Sequence, residues 1–150
     1  MVRGNLAACL SSMGKLERML DDLSQLPRKV AVEAAPQINA LIQKQFAGGF
    51  DPYGRKWKGL AASTKKRGRK NPPLTASGKL KKGTKTSPLS GGRAGLRIVV
   101  GRSYGIFHQT GTKHMPARKI LPERGMPKTW SDILVQSAQK VARQALGKVR

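Results

Sequence analysis

Acidic residues are scarce in this chain. Seven Asp and Glu face thirty Lys and Arg, a formal charge of +23 over 150 residues. A catalytic carboxylate pair has little to draw on, because Glu123 and Asp132 are the only acids of the C-terminal third. Cysteine is scarcer still. Cys9 stands alone, which excludes an intrachain disulfide and fits a reducing cytoplasm. Leu6-Ala7-Ala8-Cys9 looks like a lipoprotein cleavage box, but only residues 1–5 precede it and the required apolar run is missing. Cys9 therefore reads as a small buried helix residue. There are two histidines, His108 and His114, six apart and not at a metal-ligand spacing. No phosphate-loop signature occurs, and no apolar stretch approaches the length of a membrane span. No catalytic, cofactor or metal constellation can be assembled, and the chain reads as not an enzyme. A basic nuclease would need His108 or His114 to meet Arg118 and an acid in space.

Aromatics make up 5% and hydrophobic residues 38% of the chain. That supports one domain with one modest core, part of whose apolar surface neighbouring subunits would complete. What the chain has in excess is positive charge, and it is unevenly placed. Residues 1–50 carry six basic and four acidic groups; residues 51–120 carry eighteen basic groups against Asp51 alone; residues 121–150 carry six against two. A globule so charged repels itself, and the usual remedy is a polyanion, either nucleic acid or an acidic protein surface. The candidate contacts are Arg55, Lys56, Lys65, Lys66, Arg67, Arg69, Lys70, Lys81, Lys82 and Lys85. The plain alternative is a solvated basic surface.

Periodicity supplies the elements. Leu6, Leu10, Met13, Leu16, Leu20 and Leu23 recur at steps of three and four and predict an amphipathic helix over residues 5–26. Pro27 either ends it or opens the next helix. Ala31, Ala35, Ile38, Ile42 and Phe46 predict a second helix over residues 28–46, which Pro36 should kink or divide and Gly48-Gly49 should stop. Residues 50–90 turn to Lys, Arg, Gly, Pro, Ser and Thr and read as an extended arm, with one helical turn over 74–81. Leu96, Ile98 and Val100 alternate with Arg97 and Val99 as a strand, for which residues 82–88 are the expected hairpin partner. Residues 104–110 read as a short helix or turn ended by Gly111, and residues 116–121 as a possible edge strand. Trp130, Ile133, Leu134, Ser137, Ala138, Val141 and Ala145 form one face of a C-terminal helix over 127–146, with Lys140, Arg143 and Lys148 toward its negative end. The expected fold is α+β: N-terminal helices and a C-terminal helix packed on a small antiparallel sheet, with a long basic loop or hairpin arm. It is a single domain, with residues 1–49 helical, 50–93 the basic arm, 94–122 strands and short helix, and 123–150 the last helix.

Four segments carry a resemblance. QFAGGFDPYGRKWKGL, residues 45–60, resembles an F-x-DP-x-G-x-x-W-x-x-L stretch through Phe50, Asp51, Pro52, Gly54, Trp57 and Leu60. Thr64 and Lys66 follow. LTASGKL, residues 74–80, is similar to an L-x-x-[TS]-G-x-L element. Residues 104–111, YGIFHQTG, are similar to YA-x-x-HQ-x-G, with His108, Gln109 and Gly111 matching and Gly105 in place of Ala. Residues 116–121, PARKIL, are similar to PAR-x-[FI]-L, with Pro116 and Arg118 matching. In this order and spacing the four resemble the phage virion morphogenesis family, which includes the phage Mu protein G-like and tail-completion proteins. The resemblance covers about residues 45–121. It implies an α+β virion subunit at the head–tail junction, assembled in the host cytoplasm as a hexameric ring. The ring would meet other neck and tail proteins (connector, tail terminator, tail tube) and the DNA passing through. The charge at residues 65–70 exceeds the family's pattern.

On the residues alone, Asp51-Pro52-Tyr53-Gly54 is a turn that presents Trp57, either to the core or to a neighbour. His108 and Gln109 are placed to satisfy buried backbone groups. Arg118 suits a carboxylate or phosphate, or an intrasubunit salt bridge.

Overall fold

A computed structural model describes residues 3–69, 72–91 and 93–147, and for residues 3–9 the backbone only. The expected burial of Cys9, the place of Leu6 in its stripe, the candidate contact at Lys70 and the place of Lys148 at the end of the last helix lie outside the described residues.

Two helices open the chain, α1 (Arg3–Ser24) and α2 (Leu26–Gly48). They are separated by Gln25 alone, whose own backbone is helical. Its N–H donates to the Asp21 carbonyl at 3.2 Å, and its carbonyl accepts from the Lys29 N–H at 3.0 Å. The helical hydrogen-bond pattern thus runs through the junction, and a Lys29–Asp22 ion pair at 2.8 Å spans it. Pro27 sits in the first turn of α2, where its missing N–H costs nothing. Pro36 lies inside α2 without dividing it. Gly49 ends α2 in the left-handed conformation, its N–H bonded to the Gln45 carbonyl.

The stripe expected for α2 is the centre of the core: Ala31, Ala35, Ile38, Ile42 and Phe46 are all buried. The last helix, α6 (Lys128–Gly147), packs along it. Gln37 donates to the Ser137 hydroxyl at 3.3 Å and Lys140 pairs with Glu33 at 2.7 Å, so α6 runs antiparallel to α2. Trp130, Ser137 and Val141 are buried as expected, whereas Ala138 is exposed. The other side of α2 meets the hairpin of β1 (Lys85–Pro88) and β2 (Leu96–Val99). The strands pair antiparallel with Thr86 opposite Ile98. Leu96 and Ile98 pack inward and Arg97 and Val99 face out, as the alternation requires. The fold is α+β.

Three expectations change. The apolar stripe of α1 is not packed: Leu10, Met13, Leu16, Met19, Leu20 and Leu23 are exposed. By the register above, the described part of α6 reaches the start of α2 near Gly147. Residues 50–93 are not extended throughout. They contain α3 (Ala62–Lys66) and α4 (Lys79–Gly83), and Trp57 and Leu80 lie in the core. The helical turn expected over 74–81 thus falls later, led in by Gly78. Residues 116–121 form no strand. The N–H groups of Ile120 and Leu121 donate instead to a side chain, Gln109. The short helix α5 (Gly105–Thr110) and its end at Gly111 are as expected.

Candidate functional site

Residues 51–60 are far in sequence from residues 105–111 and 116–121, and the three segments meet beside the core. The Asp51 carboxylate accepts the N–H groups of Tyr53 at 2.9 Å and Arg55 at 2.8 Å, which closes the turn through Pro52 and Gly54. The turn delivers Trp57 into the core, edge-on to Phe46 with ring centroids 5.8 Å apart. The Trp57 indole N–H donates to the Lys119 carbonyl at 2.9 Å. Trp57 is therefore a core anchor that also ties the first segment to the third.

Arg118 makes the complementary tie. It is buried, and its guanidinium donates to the carbonyls of Lys58 and Gly59, both at 2.9 Å. Its partners are thus backbone oxygens; the expected carboxylate, phosphate or salt bridge is not what holds it. Burial lowers its pKa from the ordinary arginine value. The Arg118 N–H also bonds the His108 carbonyl. Gln109 completes the lacing. Its amide oxygen accepts from Ile120 at 2.8 Å and Leu121 at 3.0 Å, and its amide nitrogen donates to the Leu121 carbonyl at 2.8 Å and to Glu123 at 3.1 Å. Lys119 also bonds Glu123, and this bond chiefly lowers the Glu123 pKa. Gly111 has φ +80°, and a Cβ there would stand 2.9 Å from the Ala117 nitrogen, so the close crossing of the two segments needs glycine.

A cleft of about 640 Å³ lies over this lacing. Lys58, Arg69, His108, His114, Pro116 and Arg118 line it together with apolar residues that include Leu60, Leu74 and Leu80. None of the described lining residues is a carboxylate. Leu74 holds a left-handed backbone at φ +68°, an uncommon conformation for a side chain of its size. Within the cleft wall, His108 packs edge-on to Tyr104, and its Nδ1 is buried without a hydrogen-bond partner. Burial first, and the Arg118 charge second, hold its imidazole below the ordinary value of 6.5. His108 therefore contributes packing, and its backbone carbonyl a hydrogen bond, whereas the backbone-satisfying role expected of its side chain falls to Gln109.

The expected polyanion contacts lie on the surface. Arg55 and Lys56 are exposed beside the Asp51 turn, and Lys65 and Lys66 end α3 with Arg67 and Arg69 following. Lys82 and Lys85 are exposed on α4 and β1, while Lys81 is half-buried. Among the described residues the ion pairs are Lys29–Asp22, Lys119–Glu123, Lys128–Asp132 and Lys140–Glu33, so these cations belong to none of them. No group of three or more potential metal ligands occurs among the described residues, and no described helix is long and apolar enough to cross a membrane.

Some positioning residues were not visible beforehand. The Tyr53 hydroxyl donates to the Gly125 carbonyl at 3.0 Å and accepts from Arg124 at 2.8 Å. Gln43 donates to the carbonyls of Lys81 and Thr84, and Asn39 accepts from Thr86. Polar residues that face a core from a helix break no periodicity rule strongly enough to announce such partners. Compared with models of known families, with curated proteins and with solved structures, the chain matches none of them.

Proposed function

We propose that the chain is a structural subunit of a tailed bacteriophage particle, acting at the head–tail junction as a ring-forming tail-completion or neck component. The observation that carries this reading is the lacing of the segments that resemble the virion morphogenesis family. Asp51, Trp57, Gln109, Gly111 and Arg118 are used to hold the subunit's own backbone together. Residues so committed define a scaffold, and on this reading the chain is not an enzyme and takes no cofactor. The scaffold leaves its cations outward, free to line a channel carrying DNA or to clasp an acidic ring of the connector, tail terminator or tail tube. Its site of action is the virion, after assembly in the host cytoplasm. A hexamer is the ring the resemblance implies. The test is the morphology of particles made without this protein, which should accumulate as filled heads and unjoined tails.

A second reading, a non-specific nucleic-acid-binding protein, is favoured by the carboxylate-free cleft and the outward cations of residues 55–85. Binding through phosphates alone weakens steeply with salt and ignores sequence. A salt titration on duplexes of two unrelated sequences separates it from sequence-specific recognition.

A further inference from the structure

The hairpin has an edge that the described fold leaves unpaired. The Thr86 N–H donates to the Asn39 side chain at 3.2 Å, so it points away from β2. In an antiparallel ladder, two opposite residues turn their backbone groups either both toward each other or both away. Ile98, opposite Thr86, therefore turns its N–H and C=O away from β1, and so does Leu96, opposite Pro88. Pro88 suits this alternation, because it has no N–H to give the ladder. One residue further, where the alternation turns inward again, the Leu89 N–H bonds the Gly95 carbonyl at 2.9 Å. Among the described residues nothing bonds the outward N–H and C=O groups of Leu96 and Ile98.

A groove of about 560 Å³ begins at the same two residues. Leu96 and Ile98 line it with Val30, Met126, Trp130 and Leu134, and its lining is mostly apolar. The Trp130 indole N–H is buried with no acceptor among the described residues. Glu123 is the one carboxylate of the described lining, and Lys119 and Gln109 already hold it.

The occupant follows from these features. Outward N–H and C=O groups at every second residue match an extended chain. A phosphate backbone accepts from N–H groups but offers the carbonyls nothing. The groove matches apolar side chains on the inner face of that chain. The outer face of the sheet is basic: Lys85 and Arg97 are exposed on it, and exposed Arg93 and Arg102 flank β2. None of these four belongs to an ion pair among the described residues. Acidic side chains on the outer face of the added chain would complement them. A second copy of this chain has no such segment. Glu17, Asp21, Asp22, Glu33 and Asp132 stand on helices, Asp51 closes its turn, and Glu123 is held as above. Pairing β2 with β2 would also bring two arginine-bearing strands together.

We propose that the open edge of β2 takes an extended segment of a different protein as a third strand, with apolar residues entering the groove and acidic residues facing Arg97. A third strand also strengthens a hairpin that is marginal alone. The proposal does not rest on the head–tail reading, and its tests use the free chain rather than particles.

The probe is a blocked peptide of about six residues in which valine and glutamate alternate. Its control has the same composition with the glutamates grouped at one end, so it carries the same charge without the alternation. Titration calorimetry of the full chain should give the alternating peptide about tenfold the affinity of the control. Arg97→Glu, an exposed substitution, should lower the affinity for the alternating peptide about fivefold. In hydrogen exchange followed by NMR, the Leu96 and Ile98 amides should become protected when the alternating peptide is added. Equal affinities for the two peptides, an unchanged affinity in Arg97→Glu, or Leu96 and Ile98 amides that exchange as fast with the alternating peptide as without it overturn the proposal.

Discussion

Gln109 has the most to lose from a single substitution. Gln109→Leu would leave the N–H groups of Ile120 and Leu121 without the oxygen they share. An unsatisfied buried donor costs about 1–3 kcal/mol. We expect a loss of about 2–4 kcal/mol in urea unfolding. Arg118→Lys should cost about 2–3 kcal/mol, because one ammonium does not reproduce the fork that reaches both the Lys58 and Gly59 carbonyls. His108 gives a pH signature. Its folded pKa is lowered, so the unfolded chain takes up a proton at higher pH than the folded one. The stability it contributes is complete above 6.5 and is lost as pH falls through the lower folded value. The melting temperature of His108→Leu should therefore fall less than that of the wild type between neutral and mildly acidic pH. At this scale the identity of the motif residues was legible in the sequence and their partners were not. Arg118 invites an anion by its chemistry, yet it binds carbonyls of a segment about sixty residues away, which only the fold brings near.

Among the elements, α1 and α2 share the same apolar periodicity and meet opposite fates. Ile42→Ala, in the packed stripe of α2, should cost about 2–5 kcal/mol. Leu16→Ala, on exposed α1, should change the stability of the body by less than about 0.5 kcal/mol. Denaturant midpoints of the two variants check the contrast. Periodicity reads which residues share a face, and it does so for α1, α2, β2 and α6. It is silent on whether anything lies against that face, because this depends on where α6 ends relative to α2. The expected strand over residues 116–121 failed for a related reason. An apolar, Pro-led stretch has the composition of an edge strand, but the Gln109 side chain supplies the hydrogen bonds a neighbouring strand would have given.

For the whole molecule, the α+β class and the pairing of the two hairpin strands followed from alternation and turn residues; Trp57 takes one of its two expected places, in the core, while the place of Leu80 there was not legible. The charged middle segment concealed it, since an isolated apolar anchor among many cations produces no period. The position of those cations carries its own prediction. If the chain contacts DNA through them, changing Lys65, Lys66, Arg67 and Arg69 together to Gln should flatten the dependence of log K on log salt by about 3–4 for duplex DNA. Fluorescence anisotropy at several salt concentrations measures this. If the cations instead clasp an acidic ring, that slope stays small for both proteins and the variant is defective only in joining. The most direct measurement on the head–tail reading is electron microscopy of particle fractions assembled without this protein. Filled heads lying apart from complete, unattached tails are the expected result, and normally joined virions would contradict it.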